Sequence, residues 1–474
     1  MTPRPLLLAL TLTATSLHAQ LPKLDPKVTA SFVSVTSPVV AITDVLLVDG
    51  TGAKARPGQT VLLRDGRIEA VGPAASVKVP AGATTIDGRG KTLIPGIVGL
   101  HDHLFYSSAG GRSNQMNFTG PKLYLGSGVT TIRTTGSSSP YADLNLKRDI
   151  EAGKAAGPHI VVTSPYLEGP DAIGTHASVA TEQQARQFVA YWAEEGASWI
   201  KFYINISRSL LKAAIDEAHK RGMRTTGHLC SVTFREAIEL GLDDFAHGAH
   251  TATDFIADKK PDACPSNTWA TLDTAVHVPG PVATPLIDLM VKKKVSMTTT
   301  LPVYEAFYPK RPVTDERTLE LMAPEVREAY VSHRAFIDTT NAIPVTEQGF
   351  QRALAFDRAF FDAGGVLASG VDPTGNGGAL PGFGDQRGYE LLREAGLTTE
   401  QAVQVVTLNG AKVLGDAARI GSVERGKRAD LVLLDGDLTQ DVAVIRKPVT
   451  VFKDGVGYDS AKLIAATKGR VGIN

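Results

Sequence analysis

Cysteine and an excess of charge of one sign are both lacking in this chain. Its two cysteines, Cys230 and Cys264, are too few for a cysteine-rich zinc cluster or a framework of several disulfides, so a metal ion would need histidine and oxygen ligands. Whether the two pair stays open from the sequence alone. The 49 Lys and Arg balance the 49 Asp and Glu. Without a basic field we expect neither nucleic acid nor a membrane as partner.

Long apolar runs are also lacking, apart from one at the start of the chain. Arg4 precedes an apolar run from Leu6 to Leu17, and Leu17-His18-Ala19 forms a plausible cleavage site, which together predict a signal peptide over residues 1–19. The run is shorter than the ~20 residues that a membrane anchor needs. We therefore expect a periplasmic or secreted protein.

The remaining chain changes its pattern twice. Residues 40–93 contain short strands broken by glycine turns, and residues 416–470 return to that pattern. Between them, residues 94–415 alternate apolar strands with helical stretches, and about eight strands can be counted. The pattern predicts an α/β fold, a TIM (β/α)8 barrel flanked by a small composite β-sandwich domain built from both chain ends. Insertions at 250–285 and 303–345 are expected to shape substrate access.

Two histidines end the first predicted barrel strand. His101 and His103 are two residues apart, so both side chains leave the same face of the strand and can converge on one ion. Because active sites of such barrels lie where the strands end, this pair predicts a metal site at the mouth.

A lysine lies inside the apolar run Ser198–Ile204. An unpaired ammonium buried there would cost several kcal/mol, so Lys201 needs a partner or a chemical change. A buried salt bridge, a side chain reaching out at the strand end, and carboxylation to an anionic carbamate that bridges two metals all remain open.

Three further polar residues end later strands. His228 and His247 lie 19 residues apart, which fits one helix and the return of the next strand (247 − 228 = 19). Asp372 ends the last predicted strand and could bind metal and accept a proton from water. Because successive strands aim these side chains at one mouth, coincidence is a poor explanation.

With this residue set the chain resembles the amidohydrolase superfamily of metal-dependent hydrolases. The resemblance covers residues 40–460 and is greatest for the imidazolonepropionase-like and prolidase-like dipeptidase branch. That branch shares the segment Leu93-Ile94-Pro95-Gly96 and the ending from Gly421-Ser422-Val423 to Gly426-Lys427-Arg428-Ala429-Asp430-Leu431.

The resemblance implies a binuclear centre. One divalent metal would be held by His101, His103 and Asp372, and a second by His228 and His247, with carboxylated Lys201 (its carbamate formed from carbon dioxide) bridging them; the usual metal is zinc. Two such ions ~3.5 to 4 Å apart can acidify a bridging water and polarise a carbonyl. Asp372 would act as general base and then acid, while His247 or a nearby donor steadies the oxyanion.

The expected substrate is a small molecule with an amide bond, a dipeptide or an N-acyl amino acid. Ser231 stands where ring deaminases carry a glutamate, which disfavours deamination. A lactonase or esterase is the alternative, since the same attack opens esters, and a non-catalytic binding protein on this fold is a further one. The loop residues His176 and His250, with Tyr304, are candidates for substrate contacts or for hydrogen bonding within the loops. A homo-oligomer stays open.

Overall fold

The computed structural model describes residues 21–174, 176–311, 315–340 and 343–473. The predicted signal peptide therefore lies outside the described residues. Within them, no helix combines the length and the apolar character needed to cross a membrane. The strands are β1 (Val33–Val35), β2 (Val39–Leu47), β3 (Arg56–Arg64), β4 (Arg67–Pro73), β5 (Thr84–Asp87), β6 (Lys91–Pro95), β7 (Ile97–Asp102), β8 (Phe105–Ser108), β9 (Arg112–Gln115), β10 (Val129–Thr134), β11 (His159–Val161), β12 (Thr163–Glu168), β13 (Ala177–Ser178), β14 (Trp199–Phe202), β15 (Arg224–Gly227), β16 (Asp244–Ala246), β17 (Ser296–Thr299), β18 (Leu367–Ser369), β19 (Leu431–Asp435), β20 (Pro448–Lys453) and β21 (Val456–Asp459). The α-helices are α1 (Pro26–Phe32), α2 (Thr119–Gly126), α3 (Pro140–Glu151), α4 (Glu182–Glu195), α5 (Arg208–Lys220), α6 (Phe234–Leu240), α7 (Thr268–Ala275), α8 (Ala283–Lys293), α9 (Leu301–Glu305), α10 (Glu316–Leu319), α11 (Pro324–Thr339), α12 (Glu347–Asp362), α13 (Phe383–Glu394), α14 (Thr399–Gln404), α15 (Gly410–Leu414) and α16 (Ser460–Ala465).

Parallel strands in chain order form the central part of the molecule. One sheet runs β11-β10-β7 and the other β13-β12-β14-β15-β16-β17-β18, and β11 continues almost directly into β12. At the seam between β18 and β7 the Asp372 backbone N–H donates to the His101 carbonyl at 2.8 Å. A side chain at Gly370 would collide with the His101 backbone there, so the last strand needs glycine to approach the first.

This arrangement is of the TIM-barrel type, which confirms the predicted α/β class. Among the described residues the strand ladder does not close, because β18 and β7 are neighbours without forming a regular strand pair. The strands are buried on both faces, as β10, β14 and β17 illustrate. Strands covered by helices on one side and by the barrel interior on the other are expected to be buried in this way.

Strands from both chain ends share a second body, as the composite prediction required. They form one nine-stranded sheet in the order β1-β21-β20-β19-β6-β2-β3-β4, with β5 on β2. The β-sandwich in the prediction is not confirmed, because β19 pairs directly with β6 from Leu431 opposite Pro95 to Asp435 opposite Lys91 and so joins the two halves into one sheet. Strand pairing of this kind cannot be read from alternation alone.

Helix ends follow the local sequence. The Thr181 side chain accepts a hydrogen bond from the Gln184 backbone N–H, and the Gln184 side-chain oxygen accepts one from the Thr181 backbone N–H, which forms a capping box before α4. The helix stops at Gly196, whose φ of 100° is left-handed and suits glycine. The helix returns the chain to β14, the strand that carries Lys201.

Candidate metal centre and active site

The six predicted metal ligands converge on one cavity. Each lies in a barrel strand or within three residues after its carboxyl end. The cavity has a volume of about 730 Å³. The ligand candidates on its wall are His101, His103, Lys201, His228, His247 and Asp372.

Asp372 lies at the centre of the cluster. Its carboxylate oxygens are 3.3 Å from His103 Nε2, 3.6 Å from His101 Nε2 and 3.8 Å from His247 Nδ1. Possible ligand atoms of His101, His247 and Asp372 all lie within 4.8 Å of one another. The His228 and His247 rings are 4.2 Å apart. His247 thus lies between the two halves of the predicted ligand set, next to Asp372 on one side and to His228 on the other.

Two of the histidines are oriented by their second ring nitrogen. His103 Nδ1 lies 2.9 Å from the Gly136 carbonyl oxygen, and a ring N–H donated there leaves Nε2 facing the cavity. His247 Nδ1 lies 2.7 Å from the Thr300 hydroxyl oxygen, which fixes the orientation of this ring beside Asp372. A hydrogen bond from the distal nitrogen is the usual way in which proteins fix the tautomer of a ligating histidine.

Burial keeps the rings of His101, His228 and His247 neutral. Removal from water lowers the pKa of His228 to about 3, and it lowers the pKa of His101 and His247 far below the ordinary range, with the Lys201 charge adding to the effect. An unprotonated imidazole is the form that binds a metal ion. These three histidines are therefore in the form that can bind a metal ion.

Lys201 is fully buried and its Nζ has no hydrogen-bond partner among the described residues. Burial lowers the pKa of its amine to about 7. The salt-bridge and strand-end alternatives therefore find no support here. An unpaired amine that is uncharged for part of the time near neutral pH, facing a group of metal-ligand candidates, fits carboxylation and metal bridging. The Nδ1 atom of His101 is likewise without a partner.

Two of the ligand candidates have strained backbones. His247 has a φ of 76° and Asp372 a φ of 49°, in the left-handed region that non-glycine residues seldom occupy. Asp372 is held there by its backbone bond to His101 and by the Thr374 hydroxyl, which donates to its Oδ1 at 2.7 Å. Strain of this kind is concentrated at functional sites.

One wall of the cavity consists of two tyrosines and a histidine. Tyr166 stacks on His176 with ring centroids 4.5 Å apart, and Tyr203 meets His176 edge-on at 4.5 Å. Behind them the buried Glu168 carboxylate lies 2.9 Å from His176 Nδ1 and accepts the Asn205 backbone N–H. We call Tyr166, His176 and Tyr203 the polar wall.

Of these three residues, His176 was predicted from the sequence and the two tyrosines were not. Tyr203 is two residues after Lys201, so strand alternation could have placed it on the same face. Tyr166 gave no comparable signal, because nothing in its own strand marked which face is turned to the cavity.

The opposite wall is an arc of aromatic rings. Tyr304 lies with its ring centroid 5.5 Å from that of His247, Trp269 is 5.9 Å from Tyr304, and Phe307 is 5.1 Å from Trp269. We call Tyr304, Trp269 and Phe307 the aromatic arc. His250 was a candidate for substrate contact, but it stacks behind Tyr304 at 3.8 Å and lines a small recess instead of the main cavity.

The two cysteines form a disulfide bond, which settles the question that the sequence left open. Cys230 follows the ligand candidate His228 by two residues, and Cys264 lies in the insertion that carries Trp269. The bond thus ties this insertion to the segment that follows β15.

A second group of possible metal ligands lies at the other end of the strands. His159 Nε2 is 3.0 Å from an oxygen of Asp454 and 3.9 Å from one of Asp430. Arg428 already supplies a cation there, with its Nε 3.3 Å from Asp430. The group is therefore an ion-pair network between β11 and the nine-stranded sheet.

Comparison with known proteins identifies the family. Residues 92–457 match the description "Amidohydrolase family", and the chain belongs to that family. D-phenylhydantoinase of Escherichia coli is 22% identical over 422 residues, which cover 84% of this chain and 87% of that protein. An uncharacterized protein of Mycobacterium tuberculosis is 28% identical over 225 residues, 45% of this chain and 57% of its own length, so the match spans little more than half of that relative.

A solved structure agrees on the fold. A Xaa-Pro dipeptidase with bound methionine in the active site superimposes with a TM-score of 0.65 at 18% identity, covering 89% of this chain and all of that one (100%). The predicted resemblance to the amidohydrolase superfamily is confirmed.

Proposed function

We propose that this protein is a binuclear metal-dependent hydrolase that cleaves the amide bond of a small molecule, a dipeptide or an N-acyl amino acid. The observation that carries the proposal is the fully buried amine of Lys201, which has no hydrogen-bond partner in the described part of the chain and lines one cavity with four histidines and Asp372. Family membership supports hydrolysis of carbon–nitrogen bonds, and the names D-phenylhydantoinase and Xaa-Pro dipeptidase among the similar proteins agree with it.

The residues present fit two divalent ions, zinc in the usual case. His101, His103 and Asp372 would hold one ion, His228 and His247 the other, and Lys201 as a carbamate would bridge them. Bound there, the ions would acidify a water molecule and polarise the substrate carbonyl. The neutral imidazoles and the orphaned amine support this assignment.

Asp372 is the proton carrier in this proposal. Burial alone would raise the pKa of Asp372, but the hydrogen-bonding and charge of His103, the Thr374 hydroxyl and Lys201 outweigh it and lower the pKa. The side chain is thus a carboxylate, ready to take a proton from the attacking water and to return it to the departing amine.

The polar wall would orient the substrate and its developing negative charge. Burial raises the pKa of Tyr166 and Tyr203, so both hydroxyls remain protonated hydrogen-bond donors. The Tyr203 ring lies 4.9 Å from that of His228, beside the proposed second metal. Donors that are held in place before the reaction stabilise an oxyanion well. His247 was the sequence-based candidate for this role, and as a metal ligand it would act through the ion.

We also propose that the mature protein works in the periplasm or outside the cell. The apolar start of the sequence supports this, and so does the Cys230–Cys264 disulfide, because such bonds persist in oxidising compartments.

The proposed activity is tested by incubating mature protein, supplied with zinc and bicarbonate, with one mixed library of dipeptides, N-acyl amino acids and lactones. Mass spectrometry of the products should show free amino acids, and a sample treated with a chelator should show none. Opening of lactones alone would move the protein to the ester-cleaving alternative. If fully metal-loaded protein consumes none of the compounds in the library, the result would favour a binding role without catalysis.

A further inference from the structure

The aromatic arc is a row of neighbouring rings that leads from the proposed metal centre to the rim of the cavity. Its rings are 5 to 6 Å apart, in the order Tyr304, Trp269, Phe307, and Tyr304 itself contacts the ring of the ligand candidate His247. Tyr304 is buried, whereas Trp269 is 37% exposed. A tryptophan that leaves this much apolar surface open at the mouth gains stability when a ligand covers it.

We propose that the aromatic arc is a substrate subsite that selects a large, uncharged and preferably aromatic side chain. This inference rests on the proposed function, because it names the substrate class for the same cavity. The ring of such a side chain would lie against Trp269 and Phe307 while the scissile carbonyl sits at the metals. Stacked or edge-on aromatic pairs contribute to affinity beyond the area that they bury.

The charge of the cavity supports an uncharged occupant. Among the described residues that line it, Lys201 and Asp372 are the only side chains with an amine, guanidinium or carboxylate group, and both are assigned to the metals. A charged substrate side chain would therefore give up water without gaining an opposite charge, which is costly. The polar part of the substrate would contact the polar wall, which lies opposite the aromatic arc.

The space behind the arc limits how the side chain can bind. A recess of about 20 Å³ opens between Tyr304, Trp269 and Phe307 and is lined further back by His250 and Leu272. This volume holds about one water molecule. A ring is too large to enter it, so the side chain is expected to lie on the open face of the arc.

The disulfide fixes the distance between the subsite and the metals. Trp269 is the second residue of α7 and follows Cys264 by five residues, while Cys230 follows His228 by two. Thr268, next to Trp269, donates its hydroxyl to the Pro265 carbonyl at 2.6 Å and lies 3.6 Å from the Cys230 sulfur. Trp269 is thus tied at short range to the strand that ends in a proposed metal ligand.

The inference is tested by binding, with calorimetry on mature, zinc-loaded protein. The probes are the hydroxamates of L-phenylalanine, L-alanine and L-lysine, which share a metal-chelating group and differ in the side chain. We expect the phenylalanine compound to bind about 10- to 100-fold more tightly than the alanine compound, and the lysine compound to show no such gain. Equal affinities for phenylalanine and alanine, or a preference for lysine, would overturn the inference.

Variants locate the effect. Trp269→Ala should reduce the phenylalanine-to-alanine affinity ratio about 10-fold, and Phe307→Ala should reduce it less. Phe118→Ala is the matched control, because Phe118 is a similarly exposed aromatic, at 38%, that does not line the cavity. A ratio that survives both Trp269→Ala and Phe307→Ala would contradict the subsite.

The two proposals fail separately. Because the hydroxamate affinities do not depend on turnover, an intact aromatic preference without any peptide hydrolysis would overturn the proposed activity and leave the subsite standing. Hydrolysis of dipeptides together with equal hydroxamate affinities would overturn the subsite and leave the proposed activity standing.

Discussion

His247 Nδ1 and the Thr300 hydroxyl lie 2.7 Å apart, and this pair links the proposed metal centre to the aromatic arc. Thr300 immediately precedes α9, the short helix that carries Tyr304, and the Tyr304 ring in turn contacts that of His247. One segment after the seventh barrel strand thus orients a metal-ligand candidate and supplies the first ring of the subsite. A substitution at Thr300 should therefore lower metal affinity more than it lowers the stability of the fold.

The variant Thr300→Val removes the hydroxyl and keeps the shape. Because an unanchored His247 ring binds metal less well, we expect zinc affinity, measured by competition with a chromophoric chelator, to fall about 10- to 100-fold. Thr407→Val is the control, since the hydroxyl of this buried threonine bonds the Val403 carbonyl, in a helix away from the cavity wall. Equal losses in both variants would point to a general packing effect.

The variant Lys201→Met replaces the buried amine with an apolar side chain of similar length. We expect the zinc content, measured by atomic emission, to fall from two ions per chain toward one or none, with loss of amide hydrolysis. Since a buried amine without a partner is unfavourable, the metal-free variant should unfold at the same or a higher temperature than the metal-free parent.

Lys453→Met provides the comparison for this variant. Lys453 is also buried, at 7% exposure, but it lies in the nine-stranded sheet. Its replacement should leave the zinc content at two. Two zinc ions and full activity in Lys201→Met would contradict the bridging role.

The variant Asp372→Asn removes the proposed proton carrier. Loss of general acid–base catalysis should lower kcat for amide hydrolysis about 100- to 10,000-fold. Zinc content is measured on the same samples, so that a loss of metal can be told apart from a loss of proton transfer. A variant that keeps its zinc and its kcat would show that another group carries the proton.

Asp143 gives a test by pH. Burial raises the pKa of its carboxyl to about 6, although Ser137 and Gln115 donate hydrogen bonds to it at 2.6 and 2.7 Å. The folded-state pKa lies above the ordinary value of 3.8. The wild-type carboxyl therefore destabilises the fold increasingly as the pH rises from about 4 to about 6.

Asn does not titrate, so the stability of Asp143→Asn relative to wild type should rise from about pH 5 to about pH 8, by about 1 to 2 kcal/mol. Calorimetric unfolding at the two pH values measures this difference. A relative stability that stays constant or falls with pH would contradict the buried-carboxyl account.

The variant Cys264→Ser opens a loop that spans a sequence separation of 34 residues. For a loop of this length the chain-entropy relation gives a stabilisation of about 3 to 4 kcal/mol, so the melting temperature should fall by several degrees. Because Trp269 loses its anchor, the preference for the phenylalanine hydroxamate should also decrease. An unchanged melting temperature would show that the insertion is held mainly by other contacts.

The ligand candidates could be predicted because barrel geometry translates position in sequence into position in space. His101, His228, His247 and Asp372 each follow an apolar strand, and parallel strands end at one mouth, so their convergence follows from the pattern. Strand alternation also places Tyr203 on the same face as Lys201, so Tyr203 could have been predicted in the same way.

Other features depend on contacts between distant segments. Cys264 and Trp269 lie in an insertion without periodicity, where nothing local indicates that it packs against the segment of Cys230. Likewise the continuous sheet arises from the pairing of β19 with β6, and strand patterns indicate which face is buried but not which strand is the neighbour. Hydrogen-bond partners such as Gly136 and Thr300 become visible only in the folded chain.

The most direct test of the central claim is one assay in which zinc content and amide cleavage are measured on the same protein. Mature protein is stripped of metal and then titrated with zinc in the presence of bicarbonate, and the release of free amino acids from a dipeptide library is recorded at each step. The account predicts that cleavage is absent at zero zinc and reaches its maximum at two ions per chain. Cleavage without metal, or none at two bound ions, would contradict it.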